Sequence, residues 1–212
     1  MIRWDAITGN LPLISQKLVE HVLLTVTAVA IGLVLSFLAV LAIRRWRVLT
    51  GPITGIAGVI YTIPSLALLV FLIPITRLTA TTAEIALVGY TLLILIRNLL
   101  AGLDSVPRDA LDAADAMGYG ATRRLWQVEL PLALPVIAAG VRIAVVTTIG
   151  LVMVTALIGL GGLGQVMLRG YNFRNDTLTL VGFVLTVALG VAADLSLGWL
   201  TRRITPWAQA RG

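Results

Sequence analysis

Five long apolar runs, separated by short charged segments, dominate the pattern of hydrophobic and polar positions. They cover residues 21–43, 51–75, 83–103, 132–160 and 178–200. About 20 apolar residues in a helix cross the hydrocarbon core of a bilayer. The runs are continuous rather than alternating, and an open sheet cannot cross lipid. The pattern therefore predicts an all-α membrane protein with five transmembrane helices, the fourth long enough to tilt or to extend beyond the hydrocarbon.

Composition supports a membrane protein and excludes several kinds of site. The 212 residues are 58% hydrophobic and 12% charged, whereas soluble domains carry about 25% charged residues. The chain contains no cysteine and one histidine, His21. Disulfides and thiolate metal sites are therefore excluded, and we expect no metal site. No cleavable signal peptide is evident before the first apolar run.

Basic residues are divided unevenly between the two sets of loops. One set holds nine arginines: Arg44, Arg45, Arg47, Arg108, Arg123, Arg124, Arg202, Arg203 and Arg211. The other set holds five basic residues: Arg3, Lys17, Arg77, Arg169 and Arg174. The richer side is expected to be cytoplasmic. We therefore expect an amphipathic lead-in (1–20) outside, a five-span domain (21–200), and a cytoplasmic loop (104–131) and tail (201–212), with no nucleic-acid partner.

The predicted cytoplasmic loop carries a short polar helix with clear ends. Ser105 and Pro107 suit its start, and Gly118 suits a left-handed stop. Its contact surface is small and rich in alanine, and its candidate docking residues are Leu111, Asp112, Ala113, Ala114, Met117 and Gly118. A second short helix is predicted over 121–129, with Leu130-Pro131 ending it and beginning the next span. An ordinary solvated loop is the plain alternative.

The spacing of this loop resembles a family signature. Asp112-Ala113-Ala114 is followed after three residues by Gly118, and after nine more by Val128-Glu129-Leu130-Pro131. Permease subunits of ABC importers carry Glu-Ala-Ala, three residues, Gly, nine residues and Ile-x-Leu-Pro. Segments 61–69, 97–98, 128–135 and 157–164 are similar to the glycine betaine, carnitine and choline branch.

The resemblance implies a type I ABC importer permease core and a bacterial cytoplasmic membrane location. The helix near Asp112 would be the coupling helix, inserted into a nucleotide-binding subunit. The partners would be a second permease chain, identical or related, two ATPases and an extracytoplasmic binding protein. The chain would be a transport subunit and not an enzyme, with ATP and Mg bound by the ATPase partner and no cofactor of its own.

The glycine-rich segment 159–164 matches G-x-G-x-x-G, the dinucleotide fingerprint. That fingerprint requires a strand before it and a helix after it, but an apolar span precedes this one. We expect a tight turn in which Gly161 and Gly162 allow close helix approach or hinge an outer gate. The only lysine is Lys17, so the chain has no Walker motif.

Three charges and one break fall within the predicted spans. Arg142 lies about 16 Å into the fourth span by helical rise, and a charge at such depth costs about 3 kcal/mol unless compensated. We expect an ion pair with Asp194, which is also a possible partner for Arg97; snorkelling is the alternative for Arg97. The break consists of Thr62-Ile63-Pro64-Ser65.

The break either lines a pathway or is a simple kink. Pro64 removes a backbone donor, and Ser65 follows it. Tyr61 and Tyr90 are aromatic residues that could face a quaternary ammonium solute. The alternative is that they only pack.

The resemblance to this branch implies a permease for a compatible solute such as glycine betaine, choline or carnitine. A permease for another small solute, such as an amino acid, remains open. A channel or carrier that works without ATP is disfavoured, because five spans form a poor two-fold repeat. A membrane-bound enzyme lacks catalytic groups.

Overall fold

A computed structural model describes residues 3–209, and these contain helices and no strand. The α-helices are α1 (Trp4–Thr8), α2 (Leu11–Arg45), α3 (Thr50–Thr62), α4 (Ser65–Thr76), α5 (Ala80–Asp104), α6 (Arg108–Ala116), α7 (Ala121–Arg124), α8 (Leu130–Thr155), α9 (Leu163–Asn172), α10 (Asp176–Ile204) and α11 (Pro206–Gln209). Arg211, counted above in the tail, lies outside the described residues. The prediction of an all-α fold is confirmed.

Four of the described helical stretches are long and apolar enough to cross a membrane, and a bent pair makes a fifth if its two helices form one span. The four are Leu11–Arg45, Ala80–Asp104, Ala121–Ile158 and Asp176–Ile204. The bent pair is Arg47–Thr62 with Ser65–Thr76, which meet at 100°. The 35 residues of α2 extend about 52 Å at 1.5 Å per residue. This helix therefore takes in half of the predicted lead-in.

The helix before α8 continues into it, which differs from the expected break at Leu130-Pro131. A π-helical turn over Leu125–Glu129 joins α7 to α8, so the helical stretch runs unbroken from Ala121 to Ile158. A proline ring normally clashes with the carbonyl of the preceding turn. The wider π turn provides room at Pro131, so the chain keeps its direction into the span.

Helix α5 forms the centre of the bundle, with α2 and α8 packed on its sides. Small residues allow the close approach that membrane helices use in place of large apolar side chains. A Cβ on Gly102 would lie 3.1 Å from the carbonyl oxygen of Ala133, and Gly140 faces the side chain of Asn98. In contrast, α10 leaves most of its surface exposed.

Helix α9 is an element that the sequence did not predict. It lies between α8 and α10, where only a glycine-rich turn was expected, and it packs on both of these helices and on α2. Its ten residues are too few to cross a membrane, so it lies across one end of the bundle. We call this end, with α9 and residues 159–162, the α9 end, and the opposite end, with α6 and α7, the α6 end.

Candidate functional site

Ser105 does not cap α6 as expected, because its Oγ donates to Gly102 O (2.7 Å) at the end of α5 and Pro107 occupies the N-cap position. Helix α6 otherwise has the ends that the sequence predicted. It begins at Arg108 after Pro107, and Gly118 adopts φ +75° just beyond its end. The Tyr119 N–H donates to Ala114 O (3.0 Å), and the Gly118 N–H donates to Asp115 O (2.9 Å). These two bonds form a Schellman motif, which needs a left-handed residue at the position of Gly118.

The six predicted docking residues lie on two different faces of α6. Asp112, Ala113, Met117 and Gly118 are exposed, and Met117 shows 64% of its surface. A Cβ added to Gly118 would meet nothing within 4 Å. Two residues face the other way: Ala114 is fully buried, and Leu111 packs against the core cluster around Leu103 and Val106. The exposed four thus form a free surface, and the other two attach α6 to the bundle.

An ion network at the α6 end was not found from the sequence. Arg124 donates to both oxygens of Asp115 on α6 at 2.7 and 2.6 Å, and through Nε to Glu129 Oε1 at 3.0 Å. The other Glu129 oxygen pairs with Arg44, near the end of α2. Glu129 is only 3% exposed. Removing one partner of a buried ion pair costs about 3–5 kcal/mol, so this carboxylate depends on its two arginines.

The network lines one wall of a cavity of about 610 Å³. Arg47 and Arg108 also line this cavity. The cavity lies between the ends of α2 and α5 and the start of α6. The α6 end is therefore a loosely filled, charged region rather than a packed core.

The residues predicted around the break come together in the structure. Tyr61 ends α3 near the bend, Ser65 begins α4, and the Tyr90 hydroxyl donates to Ile63 O at 2.5 Å. This bond satisfies a carbonyl at the bend, next to Pro64, where regular helical bonding is interrupted. The Tyr61 and Tyr90 rings meet edge to face at 6.1 Å. Tyr90 is buried and Tyr61 is 41% exposed, so only Tyr61 offers a free aromatic face.

The charges within the spans have two different environments. Arg142 donates from Nε and Nη2 to the two oxygens of Asp194, an ion pair that joins α8 to α10. The pair is about two-fifths exposed, at 41% and 37%, and lies beside Ile143 and Val146 on an open face. Arg97 is exposed and has no ion-pair partner among residues 3–209. Asp194 therefore pairs with Arg142 and not with Arg97.

The α9 end is held by close packing around His21. Its Nδ1 accepts from the Leu163 N–H at 3.2 Å, so its Nε2 carries the proton and donates to Ile149 O at 3.0 Å. Gly162 adopts φ +72°, and a Cβ there would lie 2.8 Å from Val152 and 2.9 Å from His21. A Cβ on Gly161 would collide with Leu24. His21 thus connects α2, α8 and the start of α9.

Neither a nucleotide fingerprint nor a metal cluster occurs in the part of the chain that the structure describes. Segment 159–164 follows a helix instead of a strand. No group of three His, Asp or Glu residues that could hold a metal is found within residues 3–209.

Comparison with known proteins gives concordant matches. The family model described as "Binding-protein-dependent transport system inner membrane component" matches residues 28–206. The glycine betaine/carnitine/choline transport system permease protein OpuCD of Bacillus subtilis (strain 168) is 38% identical over 198 residues, which cover 93% of this chain and 86% of that protein. The choline transport system permease protein OpuBD of the same organism is 38% identical over 193 residues, 91% of this chain and 85% of that protein.

A solved structure has the same fold. A chain of the MetNI methionine ABC transporter, in an inward-facing conformation, superposes with a TM-score of 0.82. The match covers 93% of this chain and 98% of that chain at 24% identity. The type I ABC importer permease fold is therefore confirmed.

Proposed function

The chain belongs to the family of binding-protein-dependent transport system inner membrane components, and on this premise we propose that it carries a compatible solute such as glycine betaine, choline or carnitine across the membrane. Relatives that are 38% identical are named for these solutes. The solutes share a quaternary ammonium group, which aromatic faces attract. The exposed ring of Tyr61, at the bend between α3 and α4, is our candidate contact for this group.

The free surface of α6 is the observation that carries the coupling part of the proposal. Asp112, Ala113, Met117 and Gly118 form the part of α6 that docks into a separate ATPase subunit. That subunit binds ATP and Mg. Because a Cβ at Gly118 points into open space, a partner can approach the backbone closely there. Two ATPases closing on ATP would move α6 and switch the pathway.

The remaining partners and the orientation follow from the same proposal. The α6 end faces the cytoplasm and the α9 end faces outward, which agrees with the distribution of arginines. A second permease chain completes the pathway, because the half-exposed Arg142–Asp194 pair lies on an open face of this chain. An extracytoplasmic binding protein delivers the solute at the α9 end.

Reconstitution tests the proposal. The chain is co-expressed with the products of its neighbouring genes and purified through a tag on this chain. The complex is placed in proteoliposomes with ATP inside and the binding protein outside. We expect an ATPase to co-purify and ATP-dependent uptake of radiolabelled betaine, choline or carnitine. Uptake of an amino acid instead would contradict the solute assignment. Flux through this chain alone, unaffected by ATP, would contradict the transport mechanism.

A further inference from the structure

Helix α6 is attached to the rest of the chain by few side chains. Of its nine residues only Ala114 is buried, and Leu111 is the other apolar contact. Its remaining side-chain contact is the ion pair between Asp115 and Arg124, in which the guanidinium donates to both carboxylate oxygens. Besides the backbone at its two ends, α6 is therefore joined to the bundle through two apolar residues and one carboxylate.

Glu129 is the point at which this link meets the membrane helices. Both of its oxygens are used, one by Arg124 at the end of α7 and one by Arg44 near the end of α2. Glu129 also closes the π turn that leads directly into α8. One buried carboxylate thus connects α6, through Arg124, with the ends of two spans.

We propose that Glu129 is a positioning residue that transmits movement of α6 to the ends of α2 and α8. The inference rests on the proposed coupling function of α6. When α6 moves, Asp115 displaces the guanidinium of Arg124, which also holds Glu129. Because Arg44 holds the second oxygen of Glu129, the displacement reaches α2 and α8 together. The π turn supplies a place where the helix can adjust, as such turns do at functional positions.

Glu129 is buried between Arg44 and Arg124, so water does not replace either arginine as a partner of its carboxylate. It is 3% exposed, whereas Arg44 and Arg124 are 34% and 27% exposed. An amide at this position keeps the volume and one acceptor oxygen but loses the charge that holds both guanidinium groups. Glu129→Gln therefore weakens the connection while disturbing the packing least.

The experiment compares Glu129→Gln with wild type in the complete reconstituted complex, with Arg45→Gln as the matched control. Arg45 is exposed, neighbours Arg44 and has no ion-pair partner within residues 3–209. ATP hydrolysis and solute uptake are measured together. We expect Glu129→Gln to keep hydrolysis within about twofold and to lower the number of solutes moved per ATP at least about tenfold. The control should change neither quantity.

A distance measurement separates transmission from simple stability. The chain has no cysteine, so once any cysteines of the partner subunits have been replaced, Ala116→Cys on α6 and Val48→Cys beyond α2 carry the spin labels. In wild type the two labels should move together, and their distance should stay constant when ATP binds. In Glu129→Gln the distance should change on ATP binding, because α6 moves without α2.

Two results would overturn the inference. One is a wild-type ratio of solute to ATP in Glu129→Gln. The other concerns Asp115→Asn, which is used if Glu129→Gln fails to assemble. Asp115 is half-exposed, so this variant breaks only the ion pair between α6 and Arg124. An unchanged ratio of solute moved to ATP hydrolysed in Asp115→Asn rejects the inference. A wild-type complex that hydrolyses ATP without moving solute would instead contradict the proposed function.

Discussion

The two peripheral helices, α6 and α9, are attached to the same bundle in different ways. Helix α9 buries four of its ten residues, Leu163, Gly164, Val166 and Gly170. Helix α6 buries one of nine and depends on charges for the rest of its attachment. Close packing holds α9 against its neighbours directly, whereas α6 keeps its place relative to α2 and α8 mainly through ion pairs. The difference indicates that α9 is fixed by packing and that displacement of α6 passes to the bundle through its charged side chains.

The largest expected effect comes from Gly170 on α9. A Cβ there would press against the backbone nitrogen of Thr179 and lie 2.9 Å from Asn175 O. Gly170→Val should therefore lower the free energy of unfolding by about 3 kcal/mol, at the upper end of overpacking costs. Thermal unfolding in detergent measures the change. Gly190→Val on α10, where a Cβ meets nothing within 4 Å, is the control, and equal losses in both variants would contradict fixed packing of α9.

The next effect comes from the bridge that His21 forms. His21→Phe leaves the Leu163 N–H without a partner beside a fully buried side chain, while Ile149 O loses its second donor and keeps its helical bond within α8. An unsatisfied buried group costs about 1–3 kcal/mol, so the same assay should show a loss of about 2 kcal/mol. Leu23→Phe, at an exposed position on the same helix, should be nearly neutral. An unchanged midpoint for His21→Phe would show that the bridge contributes nothing.

A smaller effect on stability, but a large one on transport, is expected at Gly118. The left-handed φ of +75° costs a residue with a Cβ about 1–2 kcal/mol, and this cost falls on α6 rather than on the bundle. Gly118→Val should leave thermal unfolding almost unchanged and reduce uptake at least about tenfold. Gly120→Val is the matched control, because Gly120 has a φ of −68° and open space around it. Normal uptake in Gly118→Val would contradict docking at α6.

The smallest effect is expected where the α9 end carries an exposed charge pair. Arg3 and Asp5 form an ion pair at 3.1 Å with both side chains about two-thirds exposed. Water and salt screen such pairs. Asp5→Asn should leave the unfolding midpoint and uptake unchanged at both low and high salt. A salt-dependent loss would mean that charges also hold this end.

Local signals explain which parts of the molecule the sequence predicted. Pro107 and Gly118 fix the ends of α6 by backbone chemistry alone, so that helix was predictable. The bend at Pro64 was also predictable as a break, although its 100° angle depends on how α3 and α4 pack on α5. Helix α9 was missed because its ten residues include two glycines and no long apolar run.

Ion pairs between distant residues were predictable only where few partners exist. Arg142 and Asp194 lie in spans with few other charges, so their pairing could be suggested from depth. Glu129 lies among several arginines of the α6 end, and its choice of Arg44 and Arg124 depends on the fold that brings α2 beside α8. The sequence offered only a weak signal, an acidic residue at the start of an apolar span.

Labelling of α6 and α9 in the same membrane tests the central claim most directly. Ala116→Cys and Tyr171→Cys, both at exposed positions, are each treated with a membrane-impermeant maleimide in intact cells and in inverted vesicles. The account predicts that Ala116→Cys reacts only in inverted vesicles, where added ATPase protects it, and that Tyr171→Cys reacts only in intact cells. Reaction of Ala116→Cys in intact cells would contradict coupling to a cytoplasmic ATPase.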